Sequence, residues 1–116
     1  MVNANNQKKA STKIMEIINS YFYTLKKRAV PIEKVILFGS QARGTAEKDS
    51  DIDILVVVKK LDKQIRTIII DEAFNLSLQH NVEIIAVPCN IKEFNSPLFQ
   101  ADSFFRNVCD DGVIIS

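Results

Sequence analysis

From Ser11 to about Arg28 the apolar residues Ile14, Ile17, Ile18, Tyr21, Phe22 and Leu25 recur in steps of three and four. That spacing predicts an amphipathic helix, with Ser11 or Thr12 placed to cap its start. Pro31 separates it from a short β-branched run, Lys34–Phe38, that stops at Gly39. The stretch Gln41–Ala46 has room for one or two helical turns before the polar Glu47–Ser50. A second strand is predicted from about Ile52 to Val58. Between Leu61 and Gln79 the residues Ile65, Ile68, Ile69, Ala73 and Leu76 return to helical register, with Asp62 as a plausible cap. Val82–Val87 reads as a third strand ended by Pro88. Short helices are expected around Phe94, Leu98, Phe99, Phe104 and Phe105, and Asp111-Gly112 turns into a final Val-Ile-Ile.

The order helix, strand, short helix, strand, helix, strand, helix predicts an α+β domain in which a small sheet is covered by helices. With 116 residues the chain has the length of one domain, assigned to 11–116 behind a flexible polar tail at 1–10. The tail, MVNANNQKKA, lacks the apolar core of a secretory signal, and no run approaches the roughly 20 apolar residues that span a bilayer. Cys89 and Cys109 lie without C-x-x-C spacing or a histidine partner, which suits structural thiols in a reducing compartment. The expectation is a cytoplasmic protein with no membrane partner. A net charge of +1 gives no strong nucleic-acid signal. Two basic runs, Lys26-Lys27-Arg28 and Lys59-Lys60 with Lys63 and Arg66, read more simply as solvated ends than as a phosphate rail.

Candidate chemistry sits in ILFGSQARGTAEKDSDIDILVVV, residues 36–58. Asp51 and Asp53 alternate with Ile52 and Ile54, so on a strand both carboxylates share one face, about 6.6 Å apart along the backbone. Short acids at that separation can reach one divalent ion, or two ions about 3.5–4 Å apart, and hard Mg²⁺ suits them. The simpler alternative is that the acids solvate a strand end. Gly39-Ser40 follows a strand and opens a short helix, a place where backbone N–H groups meet a phosphate, or else an ordinary turn with Ser40 as cap. Glu83 stands among apolar residues of the third strand, where an uncompensated buried carboxylate is costly. It therefore faces a cation or solvent, and beside the second strand it would complete a three-carboxylate cluster as ligand or proton acceptor. Arg43 is within reach of a phosphate from Ser40's helix, or equally able to brace the loop through Asp49 or Asp51. Ser50 is expected to orient that loop, and His80 to be a surface residue at a helix end.

Gly-Ser, ten intervening residues, Asp-x-Asp and a later strand acid are far more specific together than singly. The sequence resembles the nucleotidyltransferase superfamily that includes DNA polymerase β. Within it, Phe38-Gly39-Ser40-Gln41-Ala42-Arg43-Gly44 and Ser50-Asp51-Ile52-Asp53-Ile54 look like the motifs of the minimal nucleotidyltransferases. The resemblance covers all but the N-terminal tail. It implies the nucleotidyltransferase fold, with a small mixed sheet, and Gly39, Ser40 and Arg43 at the nucleotide. By the same resemblance Asp51 and Asp53 are the catalytic metal ligands and Glu83 holds the third carboxylate position, which is commonly aspartate in the family.

The reaction so implied is Mg²⁺-dependent transfer of AMP from ATP to a hydroxyl, at a two-metal site. The length leaves no room for an acceptor-binding domain, and relatives of this size are often encoded beside a HEPN-type protein as the antitoxin of a toxin–antitoxin pair. The leading expectation is adenylylation of that partner. Two alternatives stand beside it: a non-catalytic antitoxin binding through the aromatic segment Phe94–Phe105, and a homodimeric, antibiotic-type nucleotidyltransferase acting on a small molecule. Homo- and hetero-oligomers are both open.

Overall fold

The computed structural model describes residues 12–43 and 51–115, without the side chains of residues 40, 43 and 109–111. The helices are α1 (Thr12–Lys27), α2 (Gly39–Arg43), α3 (Lys63–His80), α4 (Ile91–Phe94), α5 (Pro97–Gln100) and α6 (Ser103–Asp111). The strands are β1 (Ile32–Phe38), β2 (Ile52–Val58), β3 (Ile84–Asn90) and β4 (Val113–Ile114). They form one mixed sheet in the order β3-β2-β1-β4, antiparallel except for the parallel pair β2–β3. The tail at 1–10, with Ser11, lies outside the described residues.

Alternation along the strands divides the apolar residues between two cores. Val35, Leu37, Ile52, Ile54, Val56, Ile84 and Ala86 face α1 and α3, where Ile17, Ile18, Tyr21, Leu25, Ile69 and Ala73 meet them. Ile36, Leu55, Val57 and Cys89 face the other way, onto Phe94, Phe105 and Val108 of the three short C-terminal helices. The predicted amphipathic face of α1 is thus the buried one. α3 begins as expected, the Asp62 carboxylate accepting from the Ile65 N–H at 2.8 Å. It ends at Asn81, whose left-handed φ of 53° turns the chain toward β3.

Three boundaries differ from those expected of the sequence. The first strand starts at Ile32, just after Pro31, with an irregularity between Ile32 and Lys34. The short helix opens at Gly39 rather than Gln41, so strand and helix share no loop, and the predicted stretch from Gly44 to Ala46 lies outside the described residues. The third strand starts at Ile84 and runs through Pro88 to Asn90, leaving Glu83 just before it. Pro88 is tolerated because β3 is an edge strand, and a proline there faces its missing N–H away from the ladder. The aromatic segment packs: Phe94 and Phe105 are buried, and Phe99 makes ring contacts with both at 5.8 and 5.2 Å. Among the described residues no helix is long and apolar enough to cross a membrane.

Candidate active site

β1 ends at Phe38, and Gly39 turns the chain into α2 with φ +76°, a left-handed conformation that side chains resist. Phe38 is the cross-strand partner of Asp53, which brings this turn against the acid. A Cβ built on Gly39 would fall on Asp53 Oδ2 and lie 3.3 Å from its Cγ. Glycine is therefore required on two counts, by its dihedral angle and by the carboxylate beside it.

Ile52 is wholly buried in the first core, so the residues flanking it, Asp51 and Asp53, project from the opposite face of the sheet. Asp51 is exposed and Asp53 half-buried. Parallel pairing of Ile52 with Ile84 brings the third acid in, the Ile52 N–H donating to the Glu83 carbonyl at 2.8 Å. One step before that pair, Asp51 and Glu83 stand side by side at the mouths of the two strands. Both line an open cleft of about 890 Å³ between α3 and β3. Gly39 is thus set against Asp53, and Asp51 beside Glu83 at the strand mouths, without the three carboxylates closing into one cluster among the described residues. Ser40 and Arg43 lie on α2, directly after the turn, but their side chains, like Asp49 and Ser50, lie outside the described residues.

Among the described residues no three His, Cys, Asp or Glu side chains gather into a ready-made metal cage. Mg²⁺ does not require one, since it is commonly held by one or two carboxylates with substrate phosphates and water completing its octahedron. The all-oxygen donor set of Asp51 and Asp53, on the face of the sheet away from α1 and α3, fits that pattern. Other chemistry is remote or muted. Cys89 is 2% exposed, and burial, with Glu93 second, pushes its thiol up to about 11. Such a thiol is a poor nucleophile. His80 sits half-buried in the last turn of α3. The two basic runs meet at the far end of the sheet from the acids, where the Lys59 N–H donates to the Pro31 carbonyl at 2.8 Å and Arg28 pairs with Glu72 at 2.9 Å.

One feature of the cleft was not anticipated from the sequence. Ile70, Phe74 and Leu78 of α3 are 44%, 61% and 68% exposed, and Ile85 of β3 is 38% exposed. Their signal was available as an apolar residue every fourth position, running beside the buried stripe of the same helix.

The sequence matches the nucleotidyltransferase domain family over residues 18–110. It is 36% identical to the "Putative protein adenylyltransferase MJ0604" of Methanocaldococcus jannaschii over 110 residues, 95% of this chain and 98% of that one. Among solved structures, a toxin–antitoxin with AMP-PNP superposes with a TM-score of 0.57 at 21% identity, covering 84% of this chain and 71% of the other. The toxin–antitoxin MntA-HepT gives 0.52 at 19%, covering 84% and 68%. At those identities the likeness is one of fold. The match over residues 18–110, together with the Gly-Ser turn seated on an Asp-x-Asp strand, establishes that the chain belongs to the nucleotidyltransferase domain family and is a nucleotidyltransferase.

Proposed function

We propose that this chain transfers the adenylyl group of ATP to a hydroxyl of a protein partner, the HEPN-type toxin encoded beside it, and so acts as the antitoxin of the pair in the cytoplasm. The observation that carries the reading is the placement of Asp51 and Asp53 on one face of β2 with the Gly39 turn pressed against Asp53. Support for a protein acceptor comes from the relative described as a protein adenylyltransferase, which matches nearly end to end. Support for the toxin comes from the shared fold of the toxin–antitoxin structures.

In this reading Gly39 and Ser40 present backbone N–H groups to the triphosphate, and Arg43 adds charge to it. Asp51 and Asp53 are the carboxylates that hold Mg²⁺. When bound there, Mg²⁺ makes the acceptor hydroxyl easier to ionise and balances the charge that grows on the leaving pyrophosphate. The hydroxyl oxygen forms a bond to the α-phosphorus as the bond from that phosphorus to the β-phosphate bridging oxygen breaks. Glu83, at the mouth of β3 beside Asp51, takes the hydroxyl proton or serves as a third ligand. The rigid strand pair supplies chiefly position, which matters most in a reaction that leaves the protein so little covalent work.

Intact-mass spectrometry of the HEPN-type partner after incubation with this chain, ATP and Mg²⁺ tests the proposal. A gain of one or more adenylyl units is expected. An unchanged mass, with the partner nonetheless neutralised in a stable complex, would make the chain an antitoxin by binding alone.

A further inference from the structure

Beside the acids, the cleft between α3 and β3 has a wall that the transfer reaction does not use. Ile70, Phe74 and Leu78 stand on successive turns of α3, spanning about 12 Å at 1.5 Å per residue. Ile85 of β3 lines the rim of the same cleft from the sheet face that carries Asp53, its cross-strand partner. An apolar stripe of this kind on a helix flank, continuous with a reacting centre, is a docking wall rather than scattered surface.

The edge of β3 limits what can dock. The Ile84 N–H points away from β2 and is taken by the Ser77 hydroxyl at 2.9 Å, and that hydroxyl in turn donates to the Ala73 carbonyl at 2.8 Å. Alternation puts Ala86 and Pro88 on the same outward edge, and Pro88 has no N–H to give. Donors remain there only at Ala86 and Asn90, on either side of Pro88, so an added strand would find an interrupted ladder. An occupant must dock through side chains, and the spacing of four along α3 suits a helix whose apolar residues recur every three or four. Among the described residues the lining carries Asp51 and Glu83 and no lysine, arginine or histidine. A second copy of this face would set acids against acids. A helix with basic residues flanking its apolar stripe is complementary in both respects.

We propose, resting on the reading of the chain as a protein adenylyltransferase, that this cleft is the acceptor-docking site. An amphipathic, basic-flanked helix of the partner protein lies along Ile70, Phe74 and Leu78 and brings its acceptor hydroxyl to Asp51 and Glu83. The test measures adenylylation of the HEPN-type partner at varied partner concentration, with its direct binding followed by calorimetry. Wild type is compared with Phe74→Glu, Leu78→Glu and a control, Tyr23→Glu, at an exposed position on α1 outside the cleft. All three positions are at least 61% exposed, so thermal melting and Mg·ATP affinity should be unchanged. The expected result is a rise of about tenfold or more in KM for the partner in both cleft variants, with kcat within about twofold and no effect of Tyr23→Glu. An unchanged KM in the cleft variants, or a wild-type dimer that dissociates on Phe74→Glu, would overturn the docking site while leaving adenylyl transfer intact. A partner that is bound but not modified, with binding lost on Phe74→Glu, would overturn the transfer and support the docking site. Neither binding nor modification would overturn both.

Discussion

At position 39 even a methyl group meets the Asp53 carboxylate, and the backbone there has φ +76°. Gly39→Ala is expected to cost about 1–3 kcal/mol in urea unfolding, the usual range for a strained left-handed residue. It should also lower transfer about a hundredfold by displacing Asp53, since small misplacements are that costly. An alanine variant as stable and as active as wild type would contradict the seating of the turn on the acid. Tyr21 makes a different kind of point. Its buried hydroxyl donates to the Ile69 carbonyl at 2.7 Å, tying α1 to α3. Burial, with Glu72 second, raises its pKa far above the ordinary 10.0. A raised folded-state value means the contribution to stability is full below the unfolded value and lost as pH climbs above it. Tyr21→Phe should therefore cost about 1 kcal/mol at neutral pH and lose less stability than wild type above about pH 10, read from urea midpoints.

Single side chains also fasten one element to the next. Ser77 joins α3 to the edge of β3, accepting from the Ile84 N–H and donating to Ala73. Ser77→Ala is expected to cost about 1–2 kcal/mol and to speed hydrogen exchange at the Ile84 amide, because that donor then loses its partner. The helices α1 and α3 were legible because each buries a stripe of three- and four-residue steps, and β2 because Ile54–Val58 is continuously apolar. Harder to read was β3: Pro88 looks like a terminator until the sheet order shows that its strand is an edge. The start of α2 at Gly39 was hidden for a related reason. Gly39 looks like a break, yet its positive φ is what lets β1 pass straight into a helix. In the site, Gly39, Asp51, Asp53 and Glu83 could be named in advance because chemistry forces acids and glycine into few places. Ile70, Phe74 and Leu78 could not, since only the packing of α3 decides which of its two apolar stripes is covered.

On the scale of the whole molecule, a thin sheet separates two cores, and its two ends differ in charge. Acids gather where β2 and β3 begin, while Lys26, Lys27, Arg28, Lys59 and Lys60 gather where α1 and β2 end. Because Phe94 and Phe105 are spent on the second core, the aromatic segment is less available as an interface than its composition suggested. Leu98 of that segment stays exposed, but the continuous run of exposed apolar residues lies along α3, at Ile70, Phe74 and Leu78. The most direct test of adenylyl transfer is the fate of label from ATP carrying ³²P at the α or the γ position, followed onto the HEPN-type partner. The α-label should appear on the partner and the γ-label should leave as pyrophosphate, with both chelation of Mg²⁺ and the Asp51→Ala/Asp53→Ala variant abolishing incorporation. Incorporation of the γ-label, or α-label transfer that survives loss of both aspartates, would contradict it.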